Sequence, residues 1–207
     1  MDILKSLTCF FLISLLASCA TVNQQQQQAT STAPENKVIP VENRVTSLSS
    51  IQNWNLDALI SIRNNAKNDS NTANMKWQQS HSNYNISLFG PMGSNTVKLA
   101  GRPGKVTMES SDGKTTSAST PEGLLAQKTG LQIPVSNLYY WIRGLPVPGS
   151  ASHKSYDTYN HLTQLVQSGW TVRYLDYRAV KDIDLPTKIF LADPTLNVKI
   201  VVSNWNI

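Results

Sequence analysis

The chain has 207 residues, 40% of them apolar and 15% charged, with a formal net charge of +5. That balance suits one globular domain and excludes a wholly disordered chain. The basic excess is spread without a run of Lys or Arg and without a nucleic-acid motif, so it fits an acidic partner, anionic headgroups or a plain solvated surface, and not DNA or RNA.

The opening "MDILKSLTCFFLISLLASC" reads as a targeting segment, residues 1–18. Lys5 makes a thin basic start, and the apolar run Leu7 to Ala17 is too short to cross a bilayer as a helix. It ends in Leu16-Ala17-Ser18-Cys19, which resembles the bacterial lipobox, in which the cysteine is acylated and the leader is cut before it. Cys9 lies inside the leader and Cys19 at the cut, so the mature chain has no cysteine left for a disulfide. Three acyl chains of roughly 16 carbons, at about 0.8 kcal/mol per CH₂, would make the anchor effectively permanent. Ala20 and Thr21 follow Cys19 where inner-membrane lipoproteins tend to have Asp, which resembles the outer-membrane class.

Residues 19–41 carry a glutamine run, small polar residues and two prolines with no apolar period, and read as a lipidated, disordered tether. As a random coil, that segment spans about 25 Å. Residues 42–207 are expected to form one domain. A helix is expected from about Glu42 to Gln52, with Val45, Leu48 and Ile51 on one side. Period-two patterns then dominate: "WNLDALISI", "MKWQ", "YNISLF", "TVKLA" and "KVTME", with a weak strand near Thr116. A second helix is expected from Glu122 to Lys128, with Pro121 at its first position and Gly130 beyond it, and a third capped by Ser136 and closed by Gly144 and Pro146. "HLTQLVQ", "WTVRYLDY", "KIFLA" and "LNVKIVVSNW" supply four more strands.

The expected fold is therefore mainly β, with covering helices. About 10–11 antiparallel strands, joined by "GRPG", "SDGK", "SG" and "ADPT", would form one curled sheet. Such a sheet can close around a hollow or curl without closing. No strand carries the lipid-facing apolar row of a transmembrane barrel.

The ordered set "MKWQQS", "YNISLFGPMGSNTVKLAG", "GLLAQKTGLQIPVSNLYYWIRGLPVPG", "GWTVRYLDY" and "VKIVVSNW" resembles the LolB family of outer-membrane lipoprotein receptors over residues 43–207. The run Gly130 to Pro146 is its most distinctive part. The resemblance implies a half-open antiparallel barrel around an apolar cavity, of the kind shared by LolA and LolB, with helices over its mouth. It implies a monomeric receptor that accepts acylated cargo lipoproteins from the soluble periplasmic carrier LolA. It also implies their release into outer-membrane phospholipid, in the inner leaflet. The family's projecting loop carries an apolar residue, usually leucine, between Pro and Gly. Here that loop is Pro91, Met92 and Gly93, and methionine is a mild departure in size and polarity.

Candidates for the acyl-chain cavity are the bulky residues on the apolar faces: Trp54, Leu56, Ile60, Trp77, Tyr84, Ile86, Leu88, Val97, Leu99 and Met108, with Trp141 and Ile142 from the helical cover. For each of them packed core is the competing reading. Exposing one 16-carbon chain to water would cost about 12 kcal/mol at 0.8 kcal/mol per CH₂, so cargo must pass from cavity to cavity. No nucleotide motif is present to drive this, and transfer must run downhill in affinity. Arg102 and Arg143 are weak candidates for meeting the carrier.

An enzyme is not expected. His81, His153 and His161 stand alone, Asp176 and Asp182 have no partner base, and all read as solvated polar residues. No metal ligand set or cofactor motif occurs. The main alternative is an anchored, lipocalin-like carrier of a soluble lipid or other apolar ligand, which has no use for an exposed apolar tip.

Overall fold

A computed structural model describes residues 37–94 and 96–207. The leader, Cys19 and the tether as far as residue 36 lie outside the described residues. Helix α1 spans Val41–Ser50. Strands β1 (Asn53–Asn64), β2 (Asp69–Ser80) and β3 (Asn83–Phe89) lead to a short 3₁₀ turn at Pro91–Gly93, then β4 (Val97–Arg102), β5 (Lys105–Glu109) and β6 (Thr115–Ala118). Helices α2 (Pro121–Thr129) and α3 (Val135–Trp141) follow. The chain closes with β7 (Ser152–Tyr156), β8 (Leu162–Gln167), β9 (Trp170–Val180), β10 (Ile183–Ala192) and β11 (Leu196–Asn206).

The eleven strands among the described residues belong to one antiparallel sheet in the order β6-β5-β4-β3-β2-β1-β11-β10-β9-β8-β7. The sheet is an open meander, with β6 and β7 at its two edges rather than paired to each other. Strand β7, with its exposed "SHKSY", has no apolar alternation and was not legible from periodicity.

The inner face follows from alternation. In β1, Trp54, Leu56, Ala58 and Ile60 are buried while Asn55 and Leu59 face out. In β11, Leu196, Val198, Ile200 and Val202 are buried, which leaves Trp205 out of phase. A bulge restores it. Asp57 pairs with Asn204 and Ala58 with Val202, so Ser203 is the extra residue, and its hydroxyl donates to the Asp57 carbonyl at 3.0 Å. Trp205 thereby turns inward and donates its indole N–H to the Pro186 carbonyl at 2.9 Å. Pro186 lacks a backbone N–H, and it sits where β10 no longer pairs with β11.

Helix α2 starts as its sequence dictates. Thr120 accepts from the Gly123 N–H at 3.2 Å, Pro121 is the first helical residue, and Gly130 ends the helix at φ +73°. Helix α3 departs from expectation, because Ser136 lies inside it and Pro134 occupies the cap position without a side-chain bond. The Glu122 carboxylate of α2 instead accepts from the Ser136 N–H at 2.7 Å. A tertiary partner has replaced the local cap.

Helix α1 is tied down by two buried arginines. Arg143, after α3, is 2% exposed. It donates to the Ile51 carbonyl at 2.7 Å, just past the helix end, and to the Leu48 carbonyl at 3.4 Å, which also accepts from the Ile51 backbone N–H at 3.3 Å. Its guanidinium also lies 4.2 Å from the Tyr139 ring centre. The expectation that it reaches a carrier from the rim is corrected by this burial.

Arg44 donates to Asp184 Oδ2 at 3.3 Å and to the Tyr159 carbonyl at 3.2 Å. His161 joins the same cluster, with its ring nitrogens 2.9 Å from Asp157 and 2.8 Å from Asp184. It is therefore buried and structural, not a solvated surface histidine.

Candidate functional site

A cavity among the described residues opens at the end of the sheet marked by the β2–β3 and β4–β5 turns and holds about 620 Å³, within the range of small-molecule sites. Trp77, Gln79, Tyr84 and Val106 form its sheet wall, and Val135, Tyr139 and Tyr140 of α3 lie over it. Arg102, Lys105 and His81 stand exposed at its rim. The wall is thus aromatic, with polar groups set among the rings, and not uniformly apolar.

The aromatic rings are packed in series. Trp77 is 5.2 Å from Trp54 and 6.4 Å from Tyr84, centre to centre. Tyr139 stacks on Trp54 at 6.5 Å and meets Tyr140 edge-on at 4.8 Å. The Trp77 indole donates to Gln79 Oε1 at 2.9 Å, and the Gln79 amide donates to the His81 carbonyl at 2.7 Å. These bonds fix the ring plane that faces the cavity.

Of the expected lining residues, Trp77 and Tyr84 meet on the cavity wall. Trp54, Leu56, Ile60, Ile86, Leu99, Met108, Trp141 and Ile142 belong to the continuous buried core. Leu88 and Val97 are half-buried partners at the far end of the β3–β4 ladder. Trp141 joins α3 to the sheet: its N–H donates to Gln167 at 3.0 Å, and its carbonyl accepts from the Tyr174 hydroxyl at 2.8 Å. Sequence reasoning did not single out Tyr139, Tyr140 or Gln79. The tyrosine doublet ahead of Trp141 was the available signal.

Met92 sits at the opposite end of the same hairpin and is fully exposed, at 107% of its reference area. Its φ of +55° lies in the left-handed region that costs a non-glycine residue about 1–2 kcal/mol. The turn holds it there. The Gly90 N–H donates to the Ser94 carbonyl at 2.7 Å, and the Ser94 backbone N–H and hydroxyl both donate to the Pro91 carbonyl, at 3.2 and 2.9 Å. Thr96 adds a bond from its hydroxyl to the Gly93 carbonyl at 2.8 Å. From Tyr84 to Phe89 the strand rises about 17 Å at 3.4 Å per residue, so the tip stands well clear of the cavity rim. Tyr84, Ile86 and Leu88 share one face of β3, opposite Leu99 and Val97 of β4, and form an apolar row between the two ends.

The family model described as outer membrane lipoprotein LolB matches residues 52–205. The chain belongs to the LolB family. An outer-membrane lipoprotein LolB from Coxiella burnetii is 44% identical over 162 residues, covering 78% of this chain and 76% of that protein. Another, from Ectopseudomonas mendocina, is 36% identical over 204 residues, covering 98% of this chain and 96% of its own length. Among solved structures, a LolA superfamily protein from Nitrosomonas europaea superposes with a TM-score of 0.50 at 8% identity, covering 83% of this chain and 90% or more (93%) of its own. That last likeness is one of fold. It agrees with the open, mainly β architecture of this LolB-family protein.

Proposed function

We propose that this LolB-family outer-membrane lipoprotein accepts acylated proteins from a LolA-type soluble carrier and passes them into the inner leaflet of the outer membrane. Its family is one of lipoprotein receptors and not of enzymes. Lipid on Cys19 and the tether of residues 19–41 would hold the domain beside that leaflet. The cargo's acyl chain would enter at the cavity end, against Trp77, Tyr84, Tyr139 and Tyr140. It would leave toward the tip past the half-buried pair Leu88 and Val97.

The observation that carries this reading is Met92. A large apolar side chain held wholly in water, on a backbone that disfavours it, does nothing for folding and marks a contact. The loop Pro91, Met92 and Gly93 would dip between lipids and lower the barrier for the departing chains. A self-contained lipid carrier has no need of such a tip, and that alternative is not favoured.

The test is a transfer assay with the full-length protein in proteoliposomes. Acylated cargo bound to a soluble LolA-type carrier is supplied, and its appearance on the receptor and then in acceptor vesicles is followed. Cargo that remains on the carrier overturns the reading. Mass spectrometry of the amino-terminal peptide checks the anchor, which requires acyl mass on Cys19.

A further inference from the structure

The aromatic wall of the cavity contains an unmet hydrogen-bond donor, and a second lies in the core behind it. Trp77 has its indole N–H satisfied by Gln79, but its two ring neighbours do not share that state. The Tyr84 hydroxyl and the Trp54 indole N–H are both shielded from solvent, and neither has a hydrogen-bond partner among the described residues. Trp54 is 2% exposed and lies behind Tyr139, while Tyr84 lines the cavity itself. Buried donors are nearly always paired, and an unpaired one costs more than a made bond returns.

The position of Tyr84 is built by its neighbours. Gly101 faces it across the ladder, and a Cβ there would fall 2.0 Å from the ring's Cζ. Burial, helped by the negative charge of Glu122, pushes the phenol pKa up to about 12, so the hydroxyl keeps its proton and can donate. Gln79 is committed on both sides to Trp77 and His81, and so does not compete for the same acceptor. Arg102 and Lys105 are exposed at the rim and belong to the mouth. A neutral donor among aromatic rings fits a neutral acceptor attached to an apolar chain, and an anion would have to be buried at much greater cost.

We infer that the Tyr84 hydroxyl reads the carbonyl oxygen of the acyl ester that joins a fatty chain to its glyceryl group. This rests on the receptor reading and deepens it: the cavity recognises the linkage as well as the chain. Acylated protein cargo and diester phospholipid both present that carbonyl.

The experiment uses full-length protein in vesicles of diether phospholipid, which carry no ester. Two dansyl-labelled peptides are compared, one with a diacylglyceryl cysteine and one with the dialkyl ether counterpart, by energy transfer from the protein's tryptophans. The unaltered protein binds the ester peptide about fivefold more tightly than the ether peptide, which is the worth of one neutral hydrogen bond. Tyr84→Phe removes that preference, leaves ether affinity as it was, and does not lower the melting midpoint because it deletes an unmet donor. Equal affinities in the unaltered protein overturn the inference, as does a variant that weakens both peptides alike or neither. Uptake of neither peptide overturns the receptor reading along with it. Repeating the titration in diester vesicles assigns the source. Suppressed ester-peptide uptake that Tyr84→Phe relieves makes bilayer phospholipid the occupant, and unchanged uptake makes it the protein cargo.

Discussion

Tyr84 and Gly101 are cross-strand partners, and the tyrosine ring fills the space that any side chain at 101 would need. The glycine is required by this close approach, since it is not one of the glycines at positive φ. Gly101→Ala must therefore push the ring off the strand and into the cavity. The expected outcome is a loss of about 1–3 kcal/mol in stability, as for overpacking elsewhere. The preference for ester-linked peptide should fall to the level of Tyr84→Phe. Denaturant melts and the peptide titration check both, and an unchanged preference would mean that the hydroxyl does not depend on this packing.

Met92 separates folding from release. Met92→Gly removes strain at φ +55°, although glycine gains freedom in the unfolded chain, so the melting midpoint should stay level or rise slightly. Transfer from receptor to vesicles should slow, because the apolar tip is gone. Met92→Glu should slow it further while leaving acceptance from the carrier nearly intact, since a carboxylate resists entering the lipid interface. Met92→Leu should preserve both steps. If Met92→Glu blocks acceptance and spares release, the tip docks on the carrier.

Leu88 is half-buried on the row between cavity and tip, opposite Val97. Leu88→Glu places a charge where it can still reach water, so stability should fall by only about 1–2 kcal/mol, well below the cost of a carboxylate sealed in a core. Cargo should still be accepted, and its passage to vesicles should slow more than tenfold. Loss of the cooperative melt would show that Leu88 is sealed in packed core and that the row is not a path.

The cluster below α1 predicts acid sensitivity. Burial alone would raise the Asp157 pKa, but hydrogen bonds from the His161 ring and from the backbone N–H groups of His161 and Tyr159 outweigh it and hold the value below the usual carboxylate range. A depressed carboxylate contributes stability above its unfolded value of about 3.9, and that contribution is lost as pH falls through the folded value. Asp157→Asn should therefore be less stable than the parent at neutral pH, and the gap should close as pH drops below about 4. Melting midpoints measured from pH 7 to pH 2 decide this, and a gap independent of pH would remove Asp157 from the account. Asp184→Asn strips the nearest carboxylate from buried Arg44 and should cost more, about 3–5 kcal/mol at neutral pH.

Local pattern determined most of the elements. Alternation marks the buried faces of β1, β2 and β11 because one side of a pleated strand faces the core. Thr120, Pro121 and Gly130 delimit α2 through backbone groups a few residues apart. Met92, between Pro91 and Gly93, stood out because a turn tip seldom holds a large apolar residue. Tertiary structure decided the rest, wherever the deciding partner is distant in sequence. Ser136 is capped through Glu122, Arg143 is buried by carbonyls some 90 residues earlier, and His161 finds Asp184 across the sheet. Whether an inward-facing residue lines the cavity or fills the core depends on the helix laid over it, and periodicity specifies a face without saying what covers it. Hence Trp54 and Trp77 read alike in sequence, while Tyr139 stacks on Trp54 and only Trp77 of the two reaches the cavity wall.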